Sequence, residues 1–166
     1  GMFKAMLNAA KTYGPGRIIV EDTVTGSLTY KRVLIGARVL GKRFAEMSKP
    51  GEAMGVLLPN ANGAVVTFFA LQSAGRVAAM LNYTAGPSNV VSAVNTACIK
   101  TVLSSKAFIE KADLQDVVQA LEANGTNIVW LDELRETVTT FEKISAAVLW
   151  KRPLAPVNAE DPAVIL

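Results

Sequence analysis

Residues 54–86, MGVLLPNANGAVVTFFALQSAGRVAAMLNYTAG, decide the fold of this chain. An apolar run ends at Leu57-Leu58-Pro59, a segment with helical spacing closes at Gly75, and a second apolar run ends at Asn82-Tyr83-Thr84. Nearly continuous apolar runs bounded by turn residues are typical of strands that are covered on both faces. The order therefore predicts strand, helix, strand. Because two strands joined by a crossover helix lie parallel, this stretch predicts one βαβ unit.

The carboxyl ends of these two predicted strands are the place to look for a site. In an open parallel sheet, ligands bind beyond the carboxyl ends of the strands. Asn60 follows the first strand, and Asn82, Tyr83 and Thr84 follow the second. These four residues are the candidate lining of a substrate pocket, although Asn60 or Asn62 also suits the N-cap of the intervening helix, which is predicted to run to residue 74.

The chain before this unit predicts two helices and a hairpin. Residues 2–11 have helical spacing. Packing on their own domain is favoured over a membrane-surface contact, because a short helix with two lysines is a weak membrane anchor. Residues 17–22 and 27–30 flank a turn in which Gly26 supplies a positive φ. The clearest helix spans residues 30–47, with Thr29 as its N-cap. Its basic face is interpreted as a solvated surface, with a docking site for an acidic partner as the alternative.

The alternation of strands and helices continues after the unit. The strands of the unit are predicted at residues 54–58 and 77–81, and further strands follow at 101–103, 127–131 and 164–166. A loop is predicted at residues 132–140 and a linker at 151–156. Helices are predicted at residues 88–99, with Cys98 on the buried face, after Ser105, from Asp113 to Asn124-Gly125, and at 141–150. This pattern predicts an α/β fold, with a mostly parallel sheet and helices on both faces.

Composition excludes several classes of function. The 166 residues are 51% hydrophobic and 19% charged, and 17 basic against 14 acidic residues leave a net charge of +3, which does not predict nucleic-acid binding. Cys98 is the only cysteine and histidine is absent, so neither a disulfide framework nor a transition-metal site is expected. No apolar run approaches the roughly 20 residues of a membrane-spanning helix.

Catalytic motifs are also missing. The sequence contains no dinucleotide-binding or phosphate-binding glycine loop, no pair of Cys-x-x-Cys motifs and no EF-hand loop. The carboxylates occur singly or in pairs that suit a solvated surface. Judged on these residues alone, the chain is an α/β domain with no catalytic and no metal-binding residues.

Several stretches nevertheless resemble a known family. The order and spacing of residues 28–30 (LTY), 51–52 (GE), 56–60 (VLLPN), 70–75 (ALQSAG) and 81–82 (LN) resemble the N-terminal part of the adenylate-forming acyl-CoA synthetase superfamily. Residues 80–86 and 99–105, with Tyr13-Gly14 and Val20-Glu21-Asp22, are most similar to the bacterial acyl-[acyl-carrier-protein] synthetase / 2-acylglycerophosphoethanolamine acyltransferase group. Ala78 stands where proline is common in such chains.

This resemblance implies a reaction. Such enzymes activate a carboxylic acid, here a fatty acid, with ATP and magnesium to an acyl-adenylate and then transfer the acyl group to the thiol of acyl-carrier protein or CoA. The loop that binds the ATP phosphates follows a strand like residues 163–166. No catalytic residue can therefore be carried onto this chain, and the matched stretches are expected to be scaffold and part of an acyl-pocket wall.

The resemblance also sets expectations for the chain as a whole. Gly1 is interpreted as a tag remnant, and residues 2–166 as an N-terminal subdomain fragment that ends before the phosphate-binding loop. We expect the fragment to be inactive, to bind no cofactor by itself, to pack against the remainder of its own chain and to self-associate. A cytoplasmic location is expected, with attachment of the full-length protein to the inner membrane left open.

Two other classes of function remain as alternatives. The chain could be a non-catalytic module that binds acyl chains or nucleotides at the corner formed by Asn82 to Thr84. It could also be an interaction domain that docks a carrier protein through Lys31, Lys42 and Arg43.

Overall fold

Five parallel strands form the central sheet of this protein. The computed structural model describes residues 1–156, 158 and 160–166, and all statements below concern these residues. The strands are β3 (Ala53–Leu57), β4 (Val77–Met80), β5 (Thr101–Ser104), β6 (Asn127–Trp130) and β7 (Val164–Ile165). They lie in the order β6-β5-β3-β4-β7, so the first of them in the chain is the central one. The register pairs Gly55 with both Ala79 and Val102.

Helices and a hairpin surround this sheet. The helices are α1 (Met2–Tyr13), α2 (Tyr30–Met47), α3 (Asn62–Ser73), α4 (Pro87–Thr96), α5 (Lys106–Lys111), α6 (Gln115–Ala123), α7 (Leu131–Glu136) and α8 (Thr140–Leu149). Strands β1 (Ile18–Asp22) and β2 (Gly26–Thr29) form a separate antiparallel pair. Within the described residues, no helix combines the length and the hydropathy that a membrane crossing requires.

The apolar core lies on both faces of the sheet. On one face, α2 and α3 bury Phe44 and Leu71 against Met54. On the other face, helices α4 and α6 bury Val94 and Leu121. Helix α1 packs on the outside of the first layer. Strand residues that are covered from both sides must be apolar throughout, as the sequence of β3 indicates. The predicted α/β fold with helices on both faces is confirmed.

The predicted local signals at three positions are also confirmed. The side chain of Thr29 accepts a hydrogen bond from the N–H of Arg32 at 3.3 Å and caps α2. Gly75 ends α3 with a φ of 69°, and Gly26 turns the hairpin with a φ of 82°. Such angles are strained for residues with a Cβ atom, so the glycines mark the turns from sequence alone.

The predicted starts of two helices are wrong. The N-cap of α3 is Ala61, without a side-chain hydrogen bond, so neither Asn60 nor Asn62 caps this helix. Asn62 instead donates to Thr25 Oγ1 and to the carbonyl of Gly26, both at 2.8 Å, because it lies beside the hairpin. Helix α6 begins at Gln115, and Asp113 stands before it in a left-handed turn with a φ of 53°.

Two further predictions are corrected. Residues 132–136, predicted as loop, belong to α7, which is stabilised by the packing of Leu131 and Leu134 on the core. Cys98 is exposed rather than buried, because α4 ends at Thr96 and the chain turns at Cys98 with a φ of 54°.

Candidate functional site

A recess at the predicted edge of the sheet is lined by Met80, the last residue of β4, and by Val164, the first residue of β7. It has a volume of about 630 Å³, and we call it the edge cleft. Helix α3 forms one side and the hairpin forms the mouth. Its apolar wall consists of Ala64, Val65, Phe68, Phe69, Met80 and Val164, and its polar rim of Glu21, Asp22, Thr23 and Asn60. The hairpin and the sheet edge thus combine into one concave surface.

The apolar wall is built mainly by one face of α3. Phe68 and Phe69 lie one turn after Ala64 and Val65, and their rings meet edge to face with centroids 5.2 Å apart. Met80 extends this wall from the end of β4, and Val164 closes it from β7. A recess of this size with an aromatic and aliphatic lining suits an apolar ligand or the apolar part of a larger one.

Asp22 fixes the shape of the polar rim. Its carboxylate accepts hydrogen bonds from the N–H of Val24 at 2.8 Å and from the hydroxyl of Thr25 at 2.9 Å. It also accepts a long one from the N–H of Asn62 at 3.5 Å, which joins the hairpin to the start of α3. The bonds from Val24 and Thr25 hold the pKa of Asp22 below its usual value, so the rim is negatively charged at neutral pH.

The structure separates the four predicted pocket residues. Asn60 lies on the rim of the edge cleft. Asn82 uses its side-chain oxygen within its own turn, where it accepts from the N–H of Thr84 at 3.1 Å and from the Thr84 hydroxyl at 2.7 Å. The Tyr83 ring packs edge to face on Phe108, with centroids 5.1 Å apart, in the core on the other side of the sheet.

Sequence reasoning missed the main contributors to this cleft. From sequence, Phe68 and Phe69 belong only to a predicted helix, and the rim residues at 21–23 only to a predicted hairpin. Helix α3 has apolar residues around more of its surface than one sheet-facing stripe requires. This is the sequence signal that could have identified them. No local pattern predicts that a hairpin about 40 residues earlier in the chain covers this face.

The basic face of α2 is only partly available to a partner. Arg43 pairs with Glu142 of α8 at 3.0 Å and donates to the carbonyl of Thr137 at 3.1 Å, so its charge is engaged. Lys31 and Lys42 are exposed. Phe141 of α8 lines the same recess as Lys42, and α8 exposes Phe141, Ile144 and Val148 at 78%, 59% and 74%.

The described residues do not fit a magnesium site of their own. They contain no group of three or more Asp, Glu, His or Cys side chains that could hold a metal ion. A magnesium ion that accompanies ATP therefore has no ligands to assign within this part of the chain.

Comparison with protein families gives a match over almost the whole chain. The family described as "AMP-binding enzyme" matches residues 7–166.

Comparison with solved structures supports the same architecture. The structure of VinN aligns with a TM-score of 0.73 at 19% identity and covers 99% of this chain and 39% of that one. A benzoate CoA ligase from Burkholderia xenovorans LB400 aligns with a TM-score of 0.66 at 22% identity, over 82% of this chain and 28% of that one. The N-terminal subdomain of NpsA from Klebsiella oxytoca, in complex with anthranilyl-AMSN, aligns with a TM-score of 0.72 at 14% identity, over 98% and 36%. The chain thus spans less than two fifths of each of these proteins, and at such identities the likeness concerns the fold.

Proposed function

The chain belongs to the AMP-binding enzyme family, and from this premise we propose that it is the amino-terminal part of an enzyme that activates a fatty acid with ATP. The acyl-adenylate then passes its acyl group to the thiol of acyl-carrier protein or CoA, and the product serves phospholipid acylation. The main support for this proposal is the family match over residues 7–166. In this proposal the enzyme is of the bacterial acyl-[acyl-carrier-protein] synthetase kind.

In this proposal the edge cleft binds the acyl chain of the fatty acid. Its apolar wall, with Phe68, Phe69 and Met80, suits the methylene chain of a fatty acid, because each buried methylene contributes about 0.8 kcal/mol. The negative rim at Glu21 and Asp22 repels a carboxylate. In this proposal the acyl chain lies along α3, and its carboxylate points away from the hairpin.

We propose that the enzyme uses ATP and magnesium because it belongs to the AMP-binding enzyme family, and that ATP supplies the adenylyl group. The chain contributes a wall that binds and orients the acid and excludes water from it. We propose that the chain alone is inactive. Formation of acyl-adenylate or pyrophosphate by the isolated 166-residue chain with ATP and palmitate would contradict this proposal.

The identity of the activated acid is tested on the full-length enzyme that contains this chain. ATP–pyrophosphate exchange is measured with palmitate, benzoate and aspartate, and palmitate is expected to support the fastest exchange. Preference for benzoate or aspartate would overturn the fatty-acid proposal, and no exchange with any acid would overturn acid activation itself.

A matched pair of variants tests the edge cleft. Phe69→Ala is expected to lower kcat/KM for palmitate about tenfold, which corresponds to about 1.4 kcal/mol of lost binding. Phe141→Ala removes the same ring from the exposed face of α8 and is expected to leave this constant unchanged. Equal effects of the two variants would contradict a role of the cleft.

A second candidate role, docking of an acidic acyl-carrier protein, is favoured by the exposed face of α8. Phe141, Ile144 and Val148 form an apolar stripe beside Lys42, and this combination complements a helix with acidic and apolar residues. Charge reversal by Lys42→Glu should raise KM for carrier protein without changing KM for CoA. Unchanged kinetics with carrier protein would remove this role, and Arg43 is not a suitable test because it is paired with Glu142.

A further inference from the structure

Two asparagines of this chain are followed directly by glycine, and the structure places them in opposite surroundings. They are Asn62, the first residue of α3, and Asn124, which follows the last residue of α6. An asparagine before glycine is chemically labile, because glycine has no Cβ atom to keep its backbone nitrogen away from the side-chain amide carbon. Each pair is therefore a candidate for conversion of the amide to an acid, a reaction that needs only water.

The surroundings of Asn62 oppose this conversion. The residue is 6% exposed, and its side-chain nitrogen donates to Thr25 Oγ1 and to the carbonyl of Gly26, both at 2.8 Å. Gly63 lies within the first turn of α3. The side chain and the helix start would both have to leave the hairpin before the amide carbon could be attacked. Asn62 is thus a protected reference within the same molecule.

Asn124 lies at the surface, in the turn between α6 and β6. Asn124 and Gly125 are both exposed, and Gly125 has a φ of 78°. The side chain of Asn124 exchanges two hydrogen bonds with Asn95 of α4. Asn95 Nδ2 donates to Asn124 Oδ1 at 3.2 Å, and Asn124 Nδ2 donates to Asn95 Oδ1 at 2.9 Å. We call these two side chains the amide pair.

The amide pair and the turn restrain the reacting groups of Asn124. Asn124 Nδ2 also donates to Thr126 Oγ1 at 3.1 Å, and the N–H of Gly125 donates to the carbonyl of Glu122 at 3.0 Å. The side chain must leave Asn95 and rotate toward the Gly125 nitrogen before a bond can form. Hydrogen bonds between exposed groups at a helix end compete with water and open more easily than buried ones. Attack on Asn124 therefore requires only a local opening.

We propose that Asn124 is a site of spontaneous deamidation and that Asn95 sets the rate of this reaction. When the amide pair opens, the Gly125 nitrogen gives its proton to water and bonds to Cγ of Asn124, and the amide nitrogen leaves as ammonia. Water then opens the succinimide ring that has formed. Cleavage at Cγ gives aspartate, and cleavage at the backbone carbonyl gives isoaspartate, which lengthens the main chain by one carbon atom. No group is oxidised or reduced.

Both products would weaken the packing of α4 on α6. The new carboxylate lies at the carboxyl ends of these two helices, where the backbone dipoles are negative, and neither helix has a basic residue in its last turn. Asn95 Oδ1 also loses its donor. In isoaspartate the longer main chain disturbs the turn in which the N–H of Thr126 donates to the carbonyl of Leu121 at 3.0 Å. This turn leads directly into the outer strand β6.

The test is incubation of the 166-residue chain in mildly alkaline buffer, followed by peptide mapping with mass spectrometry. An endoproteinase that cleaves before aspartate but not before isoaspartate distinguishes the two products. We expect conversion of Asn124 to be at least about tenfold faster than conversion of Asn62. A synthetic peptide of residues 120–126 gives the rate without the fold. Equal or faster conversion of Asn62, or no conversion of Asn124 by the time the peptide is fully converted, would overturn the proposal.

Asn95→Ala tests the amide pair. Loss of its two hydrogen bonds should make conversion of Asn124 about fivefold faster and leave the rate at Asn62 unchanged. Asn89→Ala removes another exposed asparagine from α4 and is the control, with the wild-type rate expected at Asn124. An unchanged rate at Asn124 in Asn95→Ala would overturn the role of Asn95. Equal acceleration at both asparagines would indicate general unfolding and overturn it too. Since the reaction uses neither ATP nor an acid substrate, its failure would leave the proposed acid activation untouched.

Discussion

The side chain of Arg76 connects three elements of the fold from a single buried position. It is 5% exposed, and it donates from Nε to Ser48 Oγ at 2.9 Å and from Nη2 to the carbonyl of Ala45 at 3.1 Å. It also donates to the carbonyls of Ser48 and Ala74. These carbonyls stand at the ends of α2 and α3, and neither helix has a basic residue in its last turn. The guanidinium therefore complements two helix dipoles from outside both helices.

We expect Arg76→Met to lower the free energy of unfolding by about 3 kcal/mol, because the carbonyls it leaves behind are buried without donors. Urea unfolding followed by circular dichroism measures this change. The control is Arg32→Met on the exposed side of α2, where a change within about 0.5 kcal/mol is expected. A loss in Arg76→Met no larger than in the control would show that water replaces these bonds.

Asp22 makes the stability of the hairpin depend on pH. Hydrogen bonds from Val24 and Thr25 lower its pKa in the folded state. The stabilisation is therefore complete above the unfolded pKa of about 3.9 and is lost as pH falls from there through the folded pKa. We expect the difference in unfolding free energy between wild type and Asp22→Ala to shrink below about pH 4, as measured by urea unfolding at several pH values.

The neutral residue in the same turn provides the control for this measurement. Thr23→Ala changes no charge, so its effect on stability should be the same at every pH. A wild-type advantage over Asp22→Ala that is equally large at neutral and at strongly acidic pH would exclude the carboxylate as its source.

At the scale of elements, the contact between α2 and α3 depends on small residues. A Cβ atom added at Gly41 would lie 2.7 Å from the carbonyl oxygen of Ala70 and 2.9 Å from Leu154 Cδ1. Real Cβ atoms do not approach a backbone oxygen so closely. The absence of a side chain at Gly41 thus sets the spacing of the two helices that cover the first face of the sheet.

Gly41→Ala should therefore destabilise the protein by about 2 kcal/mol, although alanine is the better helix former. Gly63→Ala at the start of α3 is the matched control, because its added Cβ would find its nearest neighbour at 3.9 Å. The control should be neutral or more stable by roughly 0.5 kcal/mol. Thermal or urea unfolding gives both values, and a neutral Gly41→Ala would mean that the two helices can separate at little cost.

Sequence patterns predicted the elements well where a local signal sufficed. Helix α2 has a regular apolar face and a Thr29 cap, so its limits follow from residues within the helix itself. Local patterns suggest Asn62 as a cap because its actual hydrogen-bond partners, Thr25 and Gly26, lie 37 and 36 residues earlier. Helix α7 was missed because six residues with several charges carry little periodicity, and its stability comes from the packing of Leu131.

At the scale of the whole molecule, the sequence indicated an edge of the sheet where the structure has a recess, but it did not indicate most of the residues that line this recess. The rule that ligands gather at the carboxyl ends of parallel strands placed Asn60 at the edge cleft. It did not reveal that Tyr83 turns to the opposite face and packs on Phe108. Side-chain direction after a strand depends on the turn that follows, and here that turn is a short 3-10 segment at Tyr83–Ala85.

Two exposed apolar regions lead us to expect self-association of the chain. Strand β7 is an outer strand whose Val164 and Ile165 are 42% and 40% exposed, and α8 carries its own apolar stripe. Unpaired strand edges and apolar patches of this kind favour contacts between copies. Sedimentation velocity over roughly a hundredfold range of concentration should show a rising average mass.

Two variants separate the sources of this association. Ile165→Lys should reduce it if the strand edge is responsible, since charged residues on edge strands oppose pairing. Phe141→Ser should reduce it if α8 is responsible. A monomer at every concentration in the wild type would refute the expectation.

The attachment of β7 also has a mechanical consequence. Among the described residues, β4 and β7 are paired through Ala78 with Val164 and Ala79 with Ile165. The carbonyl of Ala163 accepts two further hydrogen bonds, from Gln72 Nε2 at 2.7 Å and from the N–H of Ala78 at 3.2 Å. Under tension applied at the carboxyl terminus, these few bonds bear the load first, so β7 would peel away at low force. The tension would next load the hydrogen bonds from the N–H groups of Leu154 and Ala155 to the carbonyl of Ser73, both at 3.0 Å. Stretching the molecule from this end should therefore produce an early small extension, followed by rupture of the four remaining strands at higher force.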